Sequence, residues 1–442
     1  MTDAGSEPLA LRWTGEWRSL TAADRRALFD RMGSSDPAIG QRTAAIIARV
    51  RAGGDAALVE LARELDQVSL VEIEVPRRRW SEALDALEPS LRRSLERSAE
   101  NIGRVHRAFL PAAQETESEP GIIVGRRPDP LGRVGVYAPG GRAAYPSSLL
   151  MGTIPARVAG VREIIVCSPP SRESGAPSEV VLAAAALADA DRVFALGGAG
   201  AIAAMAYGTT SVPRVDRIVG PGNAYVAEAK LQVASAVAID SPAGPSELLV
   251  LCDDSADSVL IAREMLAQAE HDPLAAVVAV TTSERLGRAV IADLAAMLSS
   301  QPRAAISRAA FATQGAVLWG DSLADAIAFA NAYAAEHLLL VVEPLDETLA
   351  ALRNAGTVFV GATASVAFGD YMTGANHVLP TGGLARSYSG LSTLDFVRWT
   401  TYQRVTREAA SRLAEDVGVF ADAEQLPGHA LAARAWRVGA SR

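Results

Sequence analysis

Before Arg133 the apolar positions of this chain recur at helical spacing: Ile46, Ile47, Val50, Leu58, Leu61 and Leu65 lie on either side of a Gly53-Gly54 break. Thr21 with Asp24 forms a capping box, and Asp36 before Pro37 sets an N-cap residue ahead of a proline at the first helical position. These helices predict a packed lid or flank. From Arg133 the texture changes to short apolar runs separated by helical segments: VGVYAPGG, EIIVCSPP, RVFALGGAG, DRIVGPGN, ELLVLCDD, AAVVAVTT, GAVLWG, HLLLVV and TVFVG. Such alternation predicts parallel α/β layers. SPPSRESGAPSE at 168–179 reads as a loop, and the stretch from Ala385 onward returns to helical patterning. The α/β portion is long enough for two Rossmann-like halves, with a break near Ser246.

Composition narrows the function classes. With 442 residues, 49% hydrophobic and 21% charged, the chain can bury a large core, and disorder is excluded for most of it. The net charge of −9, with basic residues scattered among carboxylates, argues against nucleic acid as a partner. The one short basic run, Arg77-Arg78-Arg79, reads as a solvated loop. Val180 to Ala188, the longest apolar run, falls far short of the ~20 residues that cross a bilayer, so no membrane association is expected. No signal peptide is visible at Met1–Glu7, and Cys167 and Cys252 sit in strand-like apolar stretches that suit buried reduced thiols. A cytoplasmic location follows as the expectation.

The five histidines carry most of the candidate chemistry. His106, in ENIGRVHRAF, reads as a surface helix residue. Gln268 and His271 in LAQAEHDP are three apart, so on a helix they share a face and could hold one ion, although alone such a pair also reads as a helix-end cap. Glu336 and His337 are adjacent where a helix gives way to a strand, a place that can supply a general base and a second proton acceptor. Asp370 and His377 lie in FGDYMTGANHVLPTGG, too polar and glycine-rich for core packing. Glu424 and His429 flank Pro427-Gly428 at a helix start. Gly198-Ala199-Gly200-Ala201-Ile202-Ala203 follows a strand and opens a helix, the context of a dinucleotide fingerprint. The acid expected downstream is less convincing, because Asp216 begins its strand. Gly220-Pro221-Gly222-Asn223 is a second glycine turn able to offer N–H groups to a phosphate or ribose.

Together the blocks GRVGVYAPGGRAAYPSSLLMGTIPARVAGV, GPGNAYVAEAKLQV, IDSPAGPSELLVL, LAQAEHDP, AEHLLL, AGTVFVG, FGDYMTGANHVLPTGG, YSGLSTLDF and EQLPGH resemble the histidinol dehydrogenases, from about Asp36 to His429. The resemblance implies four-electron oxidation of L-histidinol to L-histidine through L-histidinal, with NAD⁺ as oxidant and one zinc ion per site. By motif, the zinc ligands would be Gln268, His271, Asp370 and His429, and the catalytic pair Glu336 and His337. Substrate would meet Ser246, Gln268, His271, His337, Asp370, Glu424 and His429. NAD contacts would come from Tyr137, Gly200 and Asn223, with a departure: the family usually has glutamine where this chain has Gly200. Glu424 and His429 would reach the site from the partner in a homodimer.

The expected architecture is α/β: two Rossmann-like parallel-sheet domains, N-terminal helices, and a C-terminal helical extension exchanged in a dimer. Residues 1–35 would form an N-terminal helical segment. Residues 36–136 and 247–384 would form the domain carrying the zinc and catalytic residues, 137–246 the NAD-binding domain, and 385–442 the C-terminal helical segment. Two rivals remain: a paralogue oxidising another small alcohol such as a sulfopropanediol, and a non-catalytic zinc-binding homologue. Glu424 favours an imidazole substrate, and retention of Glu336 and His337 favours catalysis.

Overall fold

The computed structural model describes residues 8–31, 37–140 and 144–437. Strand β1 (Trp13–Glu16) precedes α1 (Ala22–Phe29), whose N-cap Thr21 accepts the Asp24 N–H while its hydroxyl donates to the Asp24 carboxylate. Helix α2 (Pro37–Leu61) kinks at Gly54, which takes φ +54°, and α3 (Arg77–Asp85) and α4 (Pro89–Ala108) follow. The Asp36 cap lies outside the described residues. β2 (Gln114–Glu119) and β3 (Ile122–Pro130) come next.

Then the two predicted halves appear. The first runs β4 (Arg133–Tyr137), α5 (Pro146–Val158), β5 (Glu163–Ser168), α6 (Glu179–Leu187), β6 (Arg192–Ala195), α7 (Gly198–Tyr207), β7 (Arg217–Val219), α8 (Ala224–Val233) and β8 (Ala238–Ile239). The second runs β9 (Glu247–Cys252), α9 (Ser258–Ala269), β10 (Ala276–Thr281), α10 (Glu284–Leu298), α11 (Ala304–Gln314), β11 (Gly315–Trp319), α12 (Leu323–Tyr333), β12 (His337–Val341), α13 (Leu345–Ala351), β13 (Thr357–Val360) and α14 (Val366–Tyr371). β14 (Val397–Val405), α15 (Arg407–Ala423) and α16 (Pro427–Arg434) end the described chain.

All nine apolar runs form parallel strands, in the orders β6-β5-β4-β7-β8 and β1-β11-β10-β9-β12-β13. In the second sheet Leu248, Val250, Val277, Ala279 and Val317 pack into one core, and Leu249, Leu251, Val278, Val280 and Leu318 into another. Both faces are therefore covered, which is why these strands read as continuous apolar runs. Cys167 and Cys252 are buried free thiols. Among the described residues no helix is long and apolar enough to cross a membrane.

The chain divides into two compact units: Met1–Phe109 with Leu131–Phe396, and Leu110–Pro130 with Val397–Arg442. The smaller unit is an antiparallel sheet, β14-β3-β2, together with the hairpin of α15 and α16.

Several expectations need correction. Residues 385–442 are not all helical, because β14 pairs along the whole of β3, a contact between distant segments that local periodicity does not report. Residues 1–35 contribute strand β1, paired with β11. A boundary after residue 136 would cut β4. Helices α2, α3 and α4 pack on α7 and α8, on α6, and on α5, so within residues 36–136 they flank the sheet of β4–β8. Ile73–Val75 also extends that sheet, with Val75 N–H donating to Val193 and Ala195 N–H to Ile73, each at 2.8 Å. Arg77-Arg78-Arg79 opens α3, with ion pairs to Asp189, Glu82 and Glu179, and is no loop.

His106 is also misread from the sequence: it is 1% exposed, and among the described residues neither ring nitrogen has a hydrogen-bond partner. Burial lowers its pKa from 6.5 to about 4. The folded imidazole stays neutral where the unfolded one takes a proton, so this residue costs stability only as pH falls below 6.5. The loss is expected to reach about 2–3 kcal/mol near pH 4. Urea unfolding of His106→Leu against the parent between pH 7 and 4 should show a shallower decline in the variant.

Candidate active site

Helix α12 stops at Tyr333 because Ala334 turns left-handed, at φ +53°, and the chain re-enters the sheet with Glu336 buried and His337 as the first residue of β12. His337 pairs in register with Leu248, placing both catalytic candidates at the amino ends of β9 and β12. Ligand sites in open parallel sheets usually lie at the carboxyl ends. The Glu247 N–H donates to Glu336 Oε2 at 2.7 Å, and the Glu247 carbonyl oxygen lies 3.0 Å from His337 Nδ1. A carbonyl only accepts, so Nδ1 carries a hydrogen and Nε2 is the atom left for proton exchange. Nε2 is buried without a hydrogen-bond partner among the described residues and lies 3.7 Å from Asp370 Oδ1. Burial opposes charge on this ring, but Glu336 at 3.4 Å and Asp370 outweigh it and push the pKa up to about 9.

Asp370 closes in from α14, which is tied to α9 where Glu264 accepts the Val366 N–H at 3.1 Å. Four residues beyond Glu264 and Val366, one helical turn along each element, come Gln268 and Asp370. Gln268 is buried, with Nε2 lacking a hydrogen-bond partner among the described residues, while His271 sits just past the end of α9 and is exposed. His377 Nδ1 lies 3.0 Å from the Asp370 carbonyl and its Nε2 3.3 Å from Ser148 Oγ on α5, and burial holds its pKa below the usual imidazole value. Asn376 reaches the Met151 carbonyl on the same helix at 2.8 Å. The 372–382 loop thus joins the amino end of one sheet to the carboxyl end of the other.

Ser246 immediately precedes β9. Glu424 and His429 are exposed and belong to the smaller unit. Among the described residues no three His, Cys, Asp or Glu side chains stand together as a ready-made metal centre.

A cleft of about 1170 Å³ opens beyond the carboxyl ends of β4, β5, β6 and β7, lined by Tyr137, Ser168, Gly197, Gly198, Gly200 and Asn223 among others. It includes the point where strand order reverses, between β4 and β7. The Gly198 N–H donates to the Tyr137 hydroxyl at 3.1 Å. Burial pushes the phenol up to about 12, so it keeps an O–H donor. Asn223 caps α8, its side chain accepting the Tyr225 and Val226 N–H groups. Gly220 has φ +115°, and a Cβ there would lie 2.1 Å from the Tyr137 carbonyl oxygen, so only glycine lets these two turns meet. Asp216 lies at the opposite end of β7, where its carboxylate accepts the Arg133 N–H; its place is structural.

Sequence reasoning missed two features. Glu247, quoted within a motif but given no role, holds both catalytic candidates through its main chain and pairs with Arg31, for which no sequence signal existed. Lys230 and Asp240 form a buried ion pair around Gly220, with Lys230 Nζ 3.1 Å from the Gly220 carbonyl and the Gly220 N–H 2.7 Å from Asp240 Oδ2. A signal was available, since Lys230 is the only lysine among 42 Lys and Arg residues.

Comparison with known proteins bears on the whole chain. Residues 30–437 match the histidinol dehydrogenase family. The chain is 45% identical to a histidinol dehydrogenase of Methanosarcina mazei over 94% of its own length and 96% of the relative's. It is 47% identical to that of Natronomonas pharaonis over 93% of this chain and 96% of the relative. The crystal structure of histidinol dehydrogenase from Elizabethkingia anophelis superposes with a TM-score of 0.91 at 32% identity, covering 96% of this chain and 98% of that one. Sequence and fold agree along nearly the full length, and the chain belongs to the histidinol dehydrogenase family of oxidoreductase enzymes.

Proposed function

We propose that the protein oxidises L-histidinol to L-histidine by way of L-histidinal, passing two hydrides in turn to NAD⁺ and closing histidine biosynthesis. The observation that carries this reading is the Glu336–His337 pair, held by the main-chain N–H and carbonyl of Glu247 beside Asp370, with His337 Nε2 buried and without a hydrogen-bond partner among the described residues. His337 Nε2 accepts the hydroxyl proton as hydride leaves the alcohol carbon. Glu336 then takes a proton from the water that adds to the aldehyde, and loss of a second hydride leaves the carboxylate. Each oxidation releases two electrons, so one histidinol yields two NADH.

The donor set fits a zinc ion: an amide oxygen from Gln268, imidazoles from His271 and His429, and the Asp370 carboxylate. The buried Gln268 amide nitrogen, without a partner among the described residues, supports this; an amide's oxygen and nitrogen ends interchange by a flip. When bound, such an ion would hold the substrate's amine and imidazole nitrogen and offset part of the carboxylate charge, from Glu336 first and Asp370 second, that favours a proton on His337. Gln268, His271 and Asp370 belong to one protomer. His429, with Glu424 to receive the substrate imidazole N–H, would come from the partner of a homodimer. Ser246 would contact substrate beside Glu247.

NAD⁺, the hydride acceptor when bound, suits the cleft of Tyr137, Gly200 and Asn223, with the start of α7 offering N–H groups. At Gly200 a Cβ would meet Leu61 and Leu58 at 3.5 and 3.7 Å, ordinary contact distances, so the backbone there admits a Cβ at the edge of the cleft. Gly200→Gln is expected to tighten NAD⁺ binding about three- to tenfold by restoring a hydrogen bond worth about 1 kcal/mol. Calorimetric titration of NAD⁺ into both proteins tests this, and unchanged or weaker binding refutes it.

The function is tested by NADH formation from L-histidinol with added zinc. Two NADH per histidinol, lost on chelation and in Gln268→Ala, is the expected result. Turnover of another alcohol in place of histidinol would overturn the substrate.

A further inference from the structure

We propose that Arg31 and Glu247 are positioning residues that fix the tautomer and orientation of His337 and the placement of Glu336, an inference that rests on the catalytic roles proposed above. The Glu247 carboxylate is gripped by a guanidinium fork: Arg31 Nε reaches Oε1 at 2.9 Å and Nη2 reaches Oε2 at 3.1 Å. Both side chains are 2% exposed. Arg31 is itself held from two sides, with Nη2 donating to the Tyr333 carbonyl at 2.7 Å and the guanidinium carbon 3.5 Å from the centre of the Tyr333 ring. The Gly382 N–H adds a bond to Oε1 at 2.6 Å.

The main chain of the same residue faces the chemistry. Its N–H goes to Glu336 Oε2 and its carbonyl accepts from His337 Nδ1. These groups lie on the two peptide planes that meet at the Glu247 Cα, so any shift of that atom passes to both reactive side chains. The ion pair is the anchor of that atom on its side-chain side. A planar bidentate fork fixes direction as well as distance, which a lysine ammonium does not. The N-terminal arm thereby reaches the centre of the chemistry. Arg31 lies 216 positions from Glu247 and 302 from Tyr333, yet it locks the residue whose N–H and carbonyl hold the base and its neighbour.

The effect is read in three single variants and one double variant of the zinc-loaded protein. Arg31→Met and Glu247→Gln are expected to lower kcat on histidinol about 100-fold with KM within about threefold, since displacement of a reacting group by about 1 Å costs that much. Arg31→Lys should recover part of the loss. Because each single change leaves a charge buried alone, the double variant Arg31→Met/Glu247→Met serves as the folded control, with thermal unfolding near that of the parent and kcat still low. ¹⁵N-histidine NMR at a pH where the His337 ring is neutral, with its signal assigned by His337→Asn, supplies the readout that a purely structural role would leave unmoved. The parent should show Nδ1 protonated, and the variants a mixture of tautomers. A double variant with parental kcat, or a kcat loss with the His337 signal unchanged, overturns the proposal. Failure of the parent to oxidise histidinol would instead remove the functional reading, and the tautomer comparison would still decide the positioning role.

Discussion

Replacing His337 by asparagine is expected to lower kcat on L-histidinol by about 10³-fold, roughly 4 kcal/mol of barrier, while the protein stays folded and still binds NAD⁺. Asparagine keeps an N–H donor for the Glu247 carbonyl, the contact His337 Nδ1 makes at 3.0 Å, but supplies no basic nitrogen where Nε2 stood. Glu336→Gln should act differently. Its amide oxygen can still accept the Glu247 N–H, so the first hydride transfer survives, but water addition to the aldehyde loses its base. A single-turnover measurement should therefore give close to one NADH per site in Glu336→Gln, against two in the parent and almost none in His337→Asn. Equal loss of both steps in the two variants would mean that the pair does not divide the work as argued.

Lys230→Met should destabilise the fold by about 3–5 kcal/mol, the usual cost of leaving one member of a buried ion pair alone. Lys230 and Asp240 are 4% and 5% exposed in their side chains and bracket Gly220 by its carbonyl and its N–H. Losing the ammonium strands the Asp240 carboxylate and frees the turn that presents Asn223 to the cleft. Urea unfolding should show the loss, and NAD⁺ affinity should fall with it. Lys230→Arg is expected to fail as well, since a broad planar guanidinium does not fit where a compact ammonium reaches one carbonyl and one carboxylate. Adding Asp240→Leu to Lys230→Met should recover part of the stability by removing the unpaired charge. A chain that uses arginine at every other cationic position keeps its one lysine here. An unaffected Lys230→Arg would show that this choice has no steric cause.

Much of this was legible because it is local. Apolar runs, the Thr21 cap and the Gly54 break are governed by neighbours a few residues away, and the structure has them where the pattern placed them. The adjacency of Glu336 and His337 at a helix-to-strand junction was equally readable. His106 shows the limit: a charged helical pattern names the exposed face, but here the histidine turned to the buried side, and nothing within a few residues says so. β14 shows it again, since a polar, half-exposed strand carries no strong period and is recognised only by its partner β3.

By itself the sequence determined the alternation of strand and helix, the glycine turns at the cleft and the residue types able to exchange protons or hold a metal, because these follow from short-range sterics and side-chain chemistry. Tertiary structure decided which strands neighbour one another, and hence that Glu336 and His337 lie at amino ends, that Ser148 and Met151 of one half meet His377 and Asn376 of the other, and that Arg31 closes on Glu247. Those contacts join segments far apart in the chain, and their partners are chosen by the packing of whole layers, a quantity no local window contains.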